Sequence, residues 1–396
     1  MREPFMGEPF MSKSRTVTGR DPATGRSLAV SIADGLITSI GTGPQDERAG
    51  DESIWLAPGL VDLQVNGFNG HDINRGDITV ATVTALTDAM LRVGVTTYLP
   101  TIITASEEAI VAALGVIAAA RAADARIFHA IPSVHVEGPH LSPEDGPRGA
   151  HPREHIRPPD IDEFQRWQAV SSNLVGLVTL SPHYPEAPAY ISALTRQGVH
   201  VAIGHTHASP AEITAAVDAG ACLSTHLGNG AAATLPRHPN FIWTQLSEDR
   251  LTATFITDGH HLPADAFRAM LRAKGLERAV LVSDVVALGG LPPGLYDQPI
   301  GGRVELTPNG RLGVAGTPFL AGAVRPLADC VAQATTMGGI TLADALRLAT
   351  VNPGRFAGNR GVIRVGAPAD LIRFQWAPGD SSLSLDAVFT RGERHV

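Results

Sequence analysis

The chain has 396 residues, of which 44% are hydrophobic and 18% are charged, and its formal net charge is −8. This composition indicates a globular protein, excludes collagen-like and coiled-coil structure, and, because no basic stripe is present, argues against nucleic acid as a partner. There is no apolar run of ~18 residues, no apolar region of a secretory signal and no cysteine beyond Cys222 and Cys330, so we expect a cytoplasmic protein without a membrane span or a disulfide framework.

Both chain ends carry patterns of short β-strands. Alternating runs on either side of Asp34-Gly35 predict a β-hairpin, because Asp-Gly is a typical two-residue hairpin turn. Near the C-terminus, segments 361–363 and 369–372 also have the pattern of strands. We expect a small β-sandwich domain formed by both chain ends, residues 15–57 and 359–396. Residues 1–14, in which Glu-Pro-Phe-Met occurs twice, are expected to be a flexible leader.

Between the two ends, short apolar or β-branched runs alternate with helical segments. The runs that predict strands are 59–66, 94–100, 127–137, 174–181, 199–205, 221–226, 251–258 and 279–284. Helices are predicted over 77–92, 107–123, 187–197, 210–219, 263–273, 324–337 and 342–350. Eight strands that alternate with helices predict an α/β fold, a (β/α)8 TIM-type barrel, over residues 58–358.

Ionisable side chains lie where several of the predicted barrel strands end. Glu137 ends the third strand, His205 the fifth, His226 the sixth and Asp284 the eighth. In barrels of this kind, chemistry takes place at the C-terminal ends of the strands. Two imidazoles and one carboxylate are a ligand set for a catalytic divalent ion, because three protein ligands leave one position open for water, whose pKa the ion lowers. The carboxylate of Asp284 is then a candidate general base and acid.

Other features of the sequence allow both a structural and a functional interpretation. A single histidine at a strand end is commonly a hydrogen-bonded loop residue, so only the combination of these residues indicates a site. The glycine-rich loops 66–70 and 228–230 can offer backbone N–H groups to a phosphate, although most such loops only turn the chain. Arg237 is either an anion ligand or an ordinary surface arginine. Because His260 and His261 are adjacent, we expect at most one of them to face the pocket.

Several motifs resemble those of the amidohydrolase superfamily, and in particular those of the N-acetylglucosamine-6-phosphate deacetylase family. They extend from about residue 33 to residue 369, nearly the whole ordered chain. The most specific of them are APGLVDLQVNG (57–67), HVEGP (135–139), IGHT (203–206), STHL (224–227), DGHH (258–261) and VSD (282–284).

The resemblance implies that Glu137, His205 and His226 bind the metal and that Asp284 is the catalytic acid and base. These are the same residues that the ends of the predicted strands indicate. Many amidohydrolases bind two ions and carry His-x-His after the first strand, where this chain has Gln64 and Asn66. Amide side chains are poor ligands for zinc, and one branch of the family shares this departure and uses a single ion. We therefore expect one divalent ion with Gln64 and Asn66 around its ligands. Zinc is the expected metal, although iron, manganese and cobalt also suit two histidines and a carboxylate.

The resemblance also implies residues that bind an amino sugar substrate. His151, together with Ala150, matches the position that contacts the substrate near its acyl carbonyl. The residues that match contacts to the sugar phosphate are Asn229, Gly230, Arg237 and His261. Because the arginine of this family reaches across a dimer interface, a homodimer is implied.

Three departures from the family pattern flank the pocket. The sixth-strand motif continues Asn229-Gly230-Ala231 where the family usually has Asn-Ala-Met. The residues after Asp284 are Val-Val-Ala-Leu-Gly where the family prefers Ala-Thr and then proline, and the loop 140–149 is longer than usual. None of the three departures lies in the metal site. The resemblance therefore supports the type of reaction more strongly than it supports the identity of the sugar.

We therefore expect an enzyme that hydrolyses the acetamide of N-acetylglucosamine 6-phosphate, giving glucosamine 6-phosphate and acetate. Two alternatives stay open at this point. A related amidohydrolase would deacylate another N-acyl sugar or an N-acyl-D-amino acid. A catalytically silent paralogue would keep the barrel and bind a ligand without the ion, although the presence of all three ligands and of Asp284 argues against it.

Overall fold

The computed structural model describes residues 14–43, 54–298, 302–317 and 319–396, so the predicted leader lies outside the described residues except for its last position. The strands, in chain order, are β1 (Arg15–Arg20), β2 (Ser27–Ala33), β3 (Leu36–Gly41), β4 (Ile54–Pro58), β5 (Leu60–Val65), β6 (Gly67–Phe68), β7 (His71–Asp72), β8 (Val95–Ile103), β9 (Val134–Glu137), β10 (Val175–Leu180), β11 (His200–Ile203), β12 (Leu223–Ser224), β13 (Thr252–Ile256), β14 (Ala279–Val282), β15 (Gly294–Gln298), β16 (Gly302–Leu306), β17 (Leu312–Val314), β18 (Leu371–Gln375), β19 (Ser384–Thr390) and β20 (Glu393–Arg394).

The helices alternate with the central strands. In chain order they are α1 (Val80–Arg92), α2 (Glu107–Ala123), α3 (Ala125–Ala130), α4 (Ile161–Ser171), α5 (Ala187–Thr195), α6 (Pro210–Asp218), α7 (Phe241–Ser247), α8 (Ala264–Lys274), α9 (Leu327–Gly338), α10 (Leu342–Leu348) and α11 (Val351–Gly354). Within the described part of the chain, none of them combines the length and apolar character that a membrane crossing requires.

Helix α2 shows how local sequence sets an element's limits. It covers the predicted range because the hydroxyl of Ser106 accepts a hydrogen bond from the backbone N–H of Ala109 and so caps the helix. Glu107 and Glu108 in the first turn favour the positive end of the helix dipole. Its side chains at Ile110, Leu114 and Ile117 are buried at helical spacing against the barrel core.

The eight predicted barrel strands form one parallel sheet. Its order is β14-β13-β12-β11-β10-β9-β8-β5, and a parallel bridge from Val65 to Val285 connects the first strand to the end of the eighth. One apolar cluster fills the space between the strands and the surrounding helices, and a second cluster contains Val61, Leu99 and Leu177 from three of the barrel strands. The (β/α)8 barrel prediction is confirmed, and the sheet brings all strand C-termini to one face.

The two chain ends combine in a second sheet, as predicted. Its strand order is β20-β19-β18-β4-β1-β2-β3, in which β4 pairs with β18 from the opposite end of the chain. The predicted hairpin around Asp34-Gly35 is confirmed by the antiparallel pairing of β2 with β3. A cluster that includes Val30, Leu56 and Phe389 forms the core of this small domain.

Several segments differ from the sequence-based prediction. Residues 125–130, predicted as the start of the third barrel strand, form helix α3, which Asp124 caps by accepting a hydrogen bond from Arg126 N. Short apolar runs fit both helix and strand, and here the cap decides for helix. No strand forms at 361–363, where Gly361 has a φ of +73° that suits a turn. Helices α4 and α7 and the antiparallel sheet β15–β17 were not predicted.

Candidate active site

The barrel strands end around a cavity of about 280 Å³. Ten of the twelve predicted site residues line it, and Gln64 and Arg237 do not. The residues that do are Asn66, Glu137, Ala150, His151, His205, His226, Asn229, Gly230, His261 and Asp284. Because they come from the C-terminal ends of six different strands and the loops that follow them, the barrel assembles residues that are far apart in sequence.

Three of these residues have an unusual backbone conformation. His205, His226 and Asp284 have φ values of 46°, 28° and 51°, in the left-handed region that residues other than glycine rarely adopt. Each of them is the second residue after the end of a barrel strand. A left-handed residue costs of order 1–3 kcal/mol and persists where the surrounding fold imposes it, typically at functional sites. Here it turns the chain sharply at the mouth of the barrel.

Glu137, His205 and His226 form a buried cluster whose ligand atoms all lie within 4.8 Å of one another. Oε1 of Glu137 is 3.0 Å from Nε2 of His226 and 3.4 Å from Nε2 of His205. Ligand atoms that share one tetrahedral zinc ion are separated by about 3.4 Å, so these spacings fit a divalent ion. Nδ1 of His205 is 2.8 Å from the carbonyl oxygen of Pro147. Since a carbonyl only accepts, Nδ1 carries the hydrogen and Nε2 is left with the lone pair that a metal needs.

Contacts inside the cluster stabilise the charged forms of Glu137 and His226. Burial by itself would raise the pKa of Glu137, but the neighbouring imidazoles of His205 and His226 outweigh burial and hold that pKa well below its usual value. Burial likewise disfavours the charged form of His226, yet its bond to Glu137 raises the pKa of this imidazole. The cluster therefore favours an ionised carboxylate, which is the form that binds a metal ion.

Asp284 lies beside this cluster and is partly buried at the wall of the cavity. Burial and the nearby negative charge of Glu137 raise the pKa of Asp284 to about 6. Nδ2 of Asn66 donates a hydrogen bond to Oδ1 of Asp284 at 2.8 Å. A carboxyl group that titrates close to neutral pH suits an acid and base that must both accept and release a proton.

Gln64 lies behind the metal-type cluster rather than in the cavity. Its side chain is buried, and Nε2 donates a hydrogen bond to Oε1 of Glu137 at 3.1 Å. Gln64 and Asn66 thus each hold a carboxylate of the site, Gln64 that of Glu137 and Asn66 that of Asp284. Many amidohydrolases have metal-binding histidines at these two positions. In this chain the two amide side chains orient other residues of the site instead.

His151 lies against the cluster on another side. Its Nε2 is 3.3 Å from Nε2 of His205, and its Nδ1 is 2.9 Å from Oγ1 of Thr104. Burial and the neighbouring His205 lower the pKa of His151 to about 3, so this imidazole is neutral at physiological pH. Ala150 lines the cavity directly before it.

The predicted sugar-binding residues border the cavity on the side of β12 and β13. His261 faces the cavity, and its Nδ1 is 2.8 Å from Oδ2 of Asp258. The neighbouring His260 points away, with Nε2 at 3.2 Å from the carbonyl oxygen of Asn309, so only one of the adjacent histidines faces the pocket, as predicted. Gly230 has a φ of +57°, and a Cβ there would lie 2.8 Å from Nδ1 of His205, so glycine is needed where the family usually has alanine.

Arg237 is not brought to the cavity within this chain. It is exposed in the loop between β12 and α7. Among the described residues that line the cavity there is no lysine or arginine. A phosphate group in this cavity would therefore need a cation from outside the described cavity wall.

Sequence reasoning missed an apolar wall of the cavity. It includes Val304 and Leu312, which lie on strands β16 and β17, together with Val286, Leu288 and Leu320. The sequence did contain a signal for this sheet, because Asn309-Gly310 lies between β16 and β17 and Asn-Gly is a strong hairpin signal. Thr104 behind His151 and Asn74 at the cavity edge had no comparable signal.

Comparison with known proteins agrees with this geometry. The amidohydrolase family matches residues 55–394. Human N-acetylglucosamine-6-phosphate deacetylase is 33% identical over 366 residues, which cover 88% of this chain and 85% of that protein. An N-acetylgalactosamine-6-phosphate deacetylase of Escherichia coli is 31% identical, over 91% of this chain and 93% of that protein.

A solved structure extends the similarity to the whole fold. It is a mutant of the N-acetyl-D-glucosamine-6-phosphate deacetylase of Mycobacterium smegmatis in complex with N-acetyl-D-glucosamine 6-phosphate. The two chains superpose with a TM-score of 0.85 at 28% identity, covering 97% of this chain and 99% of the other. From its sequence motifs, its barrel and these relatives, the chain belongs to the amidohydrolase family and, within it, to the N-acetylglucosamine-6-phosphate deacetylase family.

Proposed function

We propose that this protein hydrolyses the acetamide of N-acetylglucosamine 6-phosphate and releases acetate and glucosamine 6-phosphate. The observation that carries the proposal is the buried cluster of Glu137, His205 and His226 in the same cavity as Asp284. Relatives that bear the name of this reaction, and one structure solved with the sugar phosphate bound, support the choice of substrate.

We propose that Glu137, His205 and His226 hold one divalent ion, and that the ion is zinc. An ion in this position supplies Lewis-acid chemistry, since it lowers the pKa of water and polarises an acyl carbonyl. Two imidazole nitrogens and one carboxylate are ligands that zinc prefers, and the hydrogen bond from Gln64 orients the carboxylate.

Asp284 is the proposed general base and acid. One water adds across the acetamide bond: its oxygen bonds to the acyl carbon, the C–N bond breaks, and a proton passes from the water through Asp284 to the leaving nitrogen. The raised pKa of Asp284, about 6, suits both halves of that transfer. Asn66 holds the carboxylate at the mouth of the barrel while it acts.

His151 is the proposed partner of the acyl oxygen. It lines the cavity next to the metal-type cluster and is buried. A neutral imidazole that donates an N–H to the acyl oxygen stabilises the negative charge that develops there in the transition state. Ala150 leaves this side of the cavity open, because its side chain is a single methyl group.

Asn229, Gly230 and His261 are the proposed contacts to the sugar phosphate, with Arg237 as the anion ligand. The exposure of Arg237 and the lack of a cationic side chain among the described lining residues support an arginine that acts on the cavity of a second subunit. We therefore propose a homodimer. A guanidinium donates two parallel hydrogen bonds to a phosphate, which suits this role.

Acetate release from purified protein tests the proposed function. The substrates to compare are N-acetylglucosamine 6-phosphate, its galactosamine epimer, unphosphorylated N-acetylglucosamine and an N-acyl-D-amino acid. We expect release from the phosphorylated glucosamine derivative, loss of release after chelation of the metal and recovery with added zinc. Release only from an N-acyl-D-amino acid would instead favour the related amidohydrolase, and a metal-free protein that releases no acetate would favour the silent paralogue.

We also propose that residues 15–57 and 359–396 are one domain, residues 58–358 another, and that the protein is cytoplasmic. The shared sheet of β1–β4 and β18–β20 supports the first proposal. Cys222 and Cys330 are both free, which supports a reducing compartment.

A further inference from the structure

A pair of histidines lies at the C-terminal face of the barrel, apart from the cavity. His183 follows β10 and His207 follows β11, and their ring centroids are 4.4 Å apart. Neither of them is among the described residues that line the cavity. His205 and His226, the two imidazoles of the metal-type cluster, have a similar centroid separation of 4.9 Å. The spacing of the pair therefore suits two imidazoles that share one ion.

Two buried serines hold the inner nitrogens of these rings. Oγ of Ser181 is 2.7 Å from Nδ1 of His183, and Oγ of Ser142 is 2.6 Å from Nδ1 of His207. Both serines are buried, whereas His183 is half-buried and His207 is exposed. Each ring therefore extends from a buried hydroxyl towards the surface, and its Nε2 points away from that hydroxyl.

The outer nitrogens of the pair are available to a ligand. Among the described residues, Nε2 of His183 and Nε2 of His207 have no hydrogen-bond partner. A serine hydroxyl can accept a hydrogen bond as well as donate one, so each Nδ1 can give its hydrogen to the serine when Nε2 binds an ion. A histidine that binds a metal through one nitrogen typically donates from the other to an oxygen, and both serines provide that oxygen.

Neighbouring contacts fix the ring of His183. The ring of Tyr184 lies against it at a centroid distance of 3.8 Å, and the Tyr184 hydroxyl donates a hydrogen bond to the carbonyl oxygen of Leu141 at 3.0 Å. Oγ of Ser181 is also 2.8 Å from Oγ1 of Thr206, which holds the serine in place. A ligand held in this way loses little side-chain freedom when an ion binds, which favours binding.

We propose that His183 and His207 bind a divalent transition-metal ion at a second site, outside the cavity, with water as the remaining ligands. Imidazole nitrogen suits zinc, copper and nickel, and zinc is the ion for the test. Because this site has two protein ligands and the cluster of Glu137, His205 and His226 has three, it fills at higher zinc concentration. The bound ion joins the loop after β10 to the loop after β11 and so stabilises the folded protein. The inference does not rest on the proposed reaction.

Equilibrium dialysis against increasing zinc, followed by elemental analysis, measures the ions bound per chain. The measurement is made slightly above neutral pH, where imidazoles are mostly neutral and can bind a metal. At saturation we expect His183→Ala and His207→Ala each to bind one ion fewer per chain than the wild type. Since His207 is exposed, its replacement should leave the fold intact. Glu137→Gln should lose the ion of the cavity and keep the ion of the histidine pair, which separates the two sites.

His155→Ala is the matched control. His155 is a half-buried histidine between β9 and α4, and its replacement should leave the zinc content at the wild-type value. Thermal unfolding gives a second measurement. We expect the Tm of the wild type to rise again at zinc concentrations above those that fill the cavity, and we expect no second rise in His207→Ala.

Equal zinc content at saturation in the wild type and in His207→Ala would overturn the inference. An equally large loss in His155→Ala would also overturn it, because it would show that zinc binds to surface histidines in general. If the wild type releases no acetate but His207→Ala still binds one ion fewer, the proposed function fails and the second metal site stands.

Discussion

Asn66 and Asp284 are joined by a hydrogen bond of 2.8 Å that runs from the end of the first barrel strand to the end of the eighth. The backbone N–H of Asn66 also donates to the carbonyl oxygen of Val285 at 2.9 Å. These two bonds lie where the barrel closes, so closure of the sheet and placement of the proposed acid and base depend on the same residues. The strained backbone of Asp284, with a φ of 51°, is held by this closure.

Replacement of that carboxylate tests its role most directly. We expect Asp284→Asn to lower kcat by about 10²–10⁴-fold, because the amide can neither take up nor release the proton. Zinc content should stay at the wild-type level, since Asp284 is not one of the three proposed ligands. The matched control is Asp265→Asn, which changes an exposed carboxylate on α8. A near-normal kcat in Asp284→Asn would refute the role.

The hydrogen bond from Gln64 to Glu137 predicts an effect on metal binding. We expect Gln64→Ala to weaken zinc affinity by about 10–100-fold, because a ligating carboxylate loses the partner that orients it. Competition with a fluorescent chelator measures the affinity. Gln165→Ala, an exposed glutamine on α4, is the control and should bind zinc like the wild type. Equal affinities for both variants would contradict the predicted support of Glu137.

Arg237 predicts a difference between two substrates. If it binds the phosphate group, Arg237→Ala should raise KM steeply for N-acetylglucosamine 6-phosphate and leave KM for the unphosphorylated sugar unchanged. Steady-state acetate release at varied substrate concentration gives both values. A similar rise for both sugars would count against phosphate binding.

Mixing the Arg237→Ala variant with an Asp284→Asn variant tests whether the arginine acts on the partner's cavity. If it does, a mixed dimer has one cavity with both residues intact, and some activity should be restored.

Asp62 is a buried carboxylate that the proposed reaction does not use. Its Oδ1 accepts hydrogen bonds from the backbone N–H groups of Gln64 and Ser283, but Oδ2 is buried and has no hydrogen-bond partner among the described residues. Burial raises the pKa of Asp62 to about 7. The folded protein thus holds this proton more tightly than the unfolded chain, whose aspartate titrates near 4.

The sign of the resulting pH dependence follows from linkage. The stability contributed by protonated Asp62 is fully present below about pH 4 and is lost as the pH rises through about 7. We expect Asp62→Asn to gain stability over the wild type between pH 5 and pH 8, by about 3 kcal/mol if the shift is fully realised, because part of the loss already occurs below pH 5. Urea unfolding of zinc-loaded protein at both pH values measures this difference. A constant gap between variant and wild type would show that Asp62 is ionised throughout.

The sequence predicted the elements whose local signals agree with the final fold. Glu107–Ala123 has a serine cap, acidic residues in its first turn and apolar residues at helical spacing, and the helix covers that range. The segment 127–137 was wrong in its first half because short apolar runs suit helix and strand equally, and the cap at Asp124 decides the outcome. The sheet β15–β17 was missed although Asn309-Gly310 gave a hairpin signal.

What the sequence determined by itself was the kind of residue at each strand end. Alternation of strands and helices implies a barrel, a barrel brings strand C-termini together, and so Glu137, His205, His226 and Asp284 were expected to converge. Only the tertiary structure decided how these residues support one another. Gln64 on Glu137, Asn66 on Asp284 and Thr104 on His151 are contacts between different strands or loops, up to 218 positions apart in the chain. Their distances and the directions of their hydrogen bonds depend on strand register and left-handed turns, which no local pattern of residues encodes.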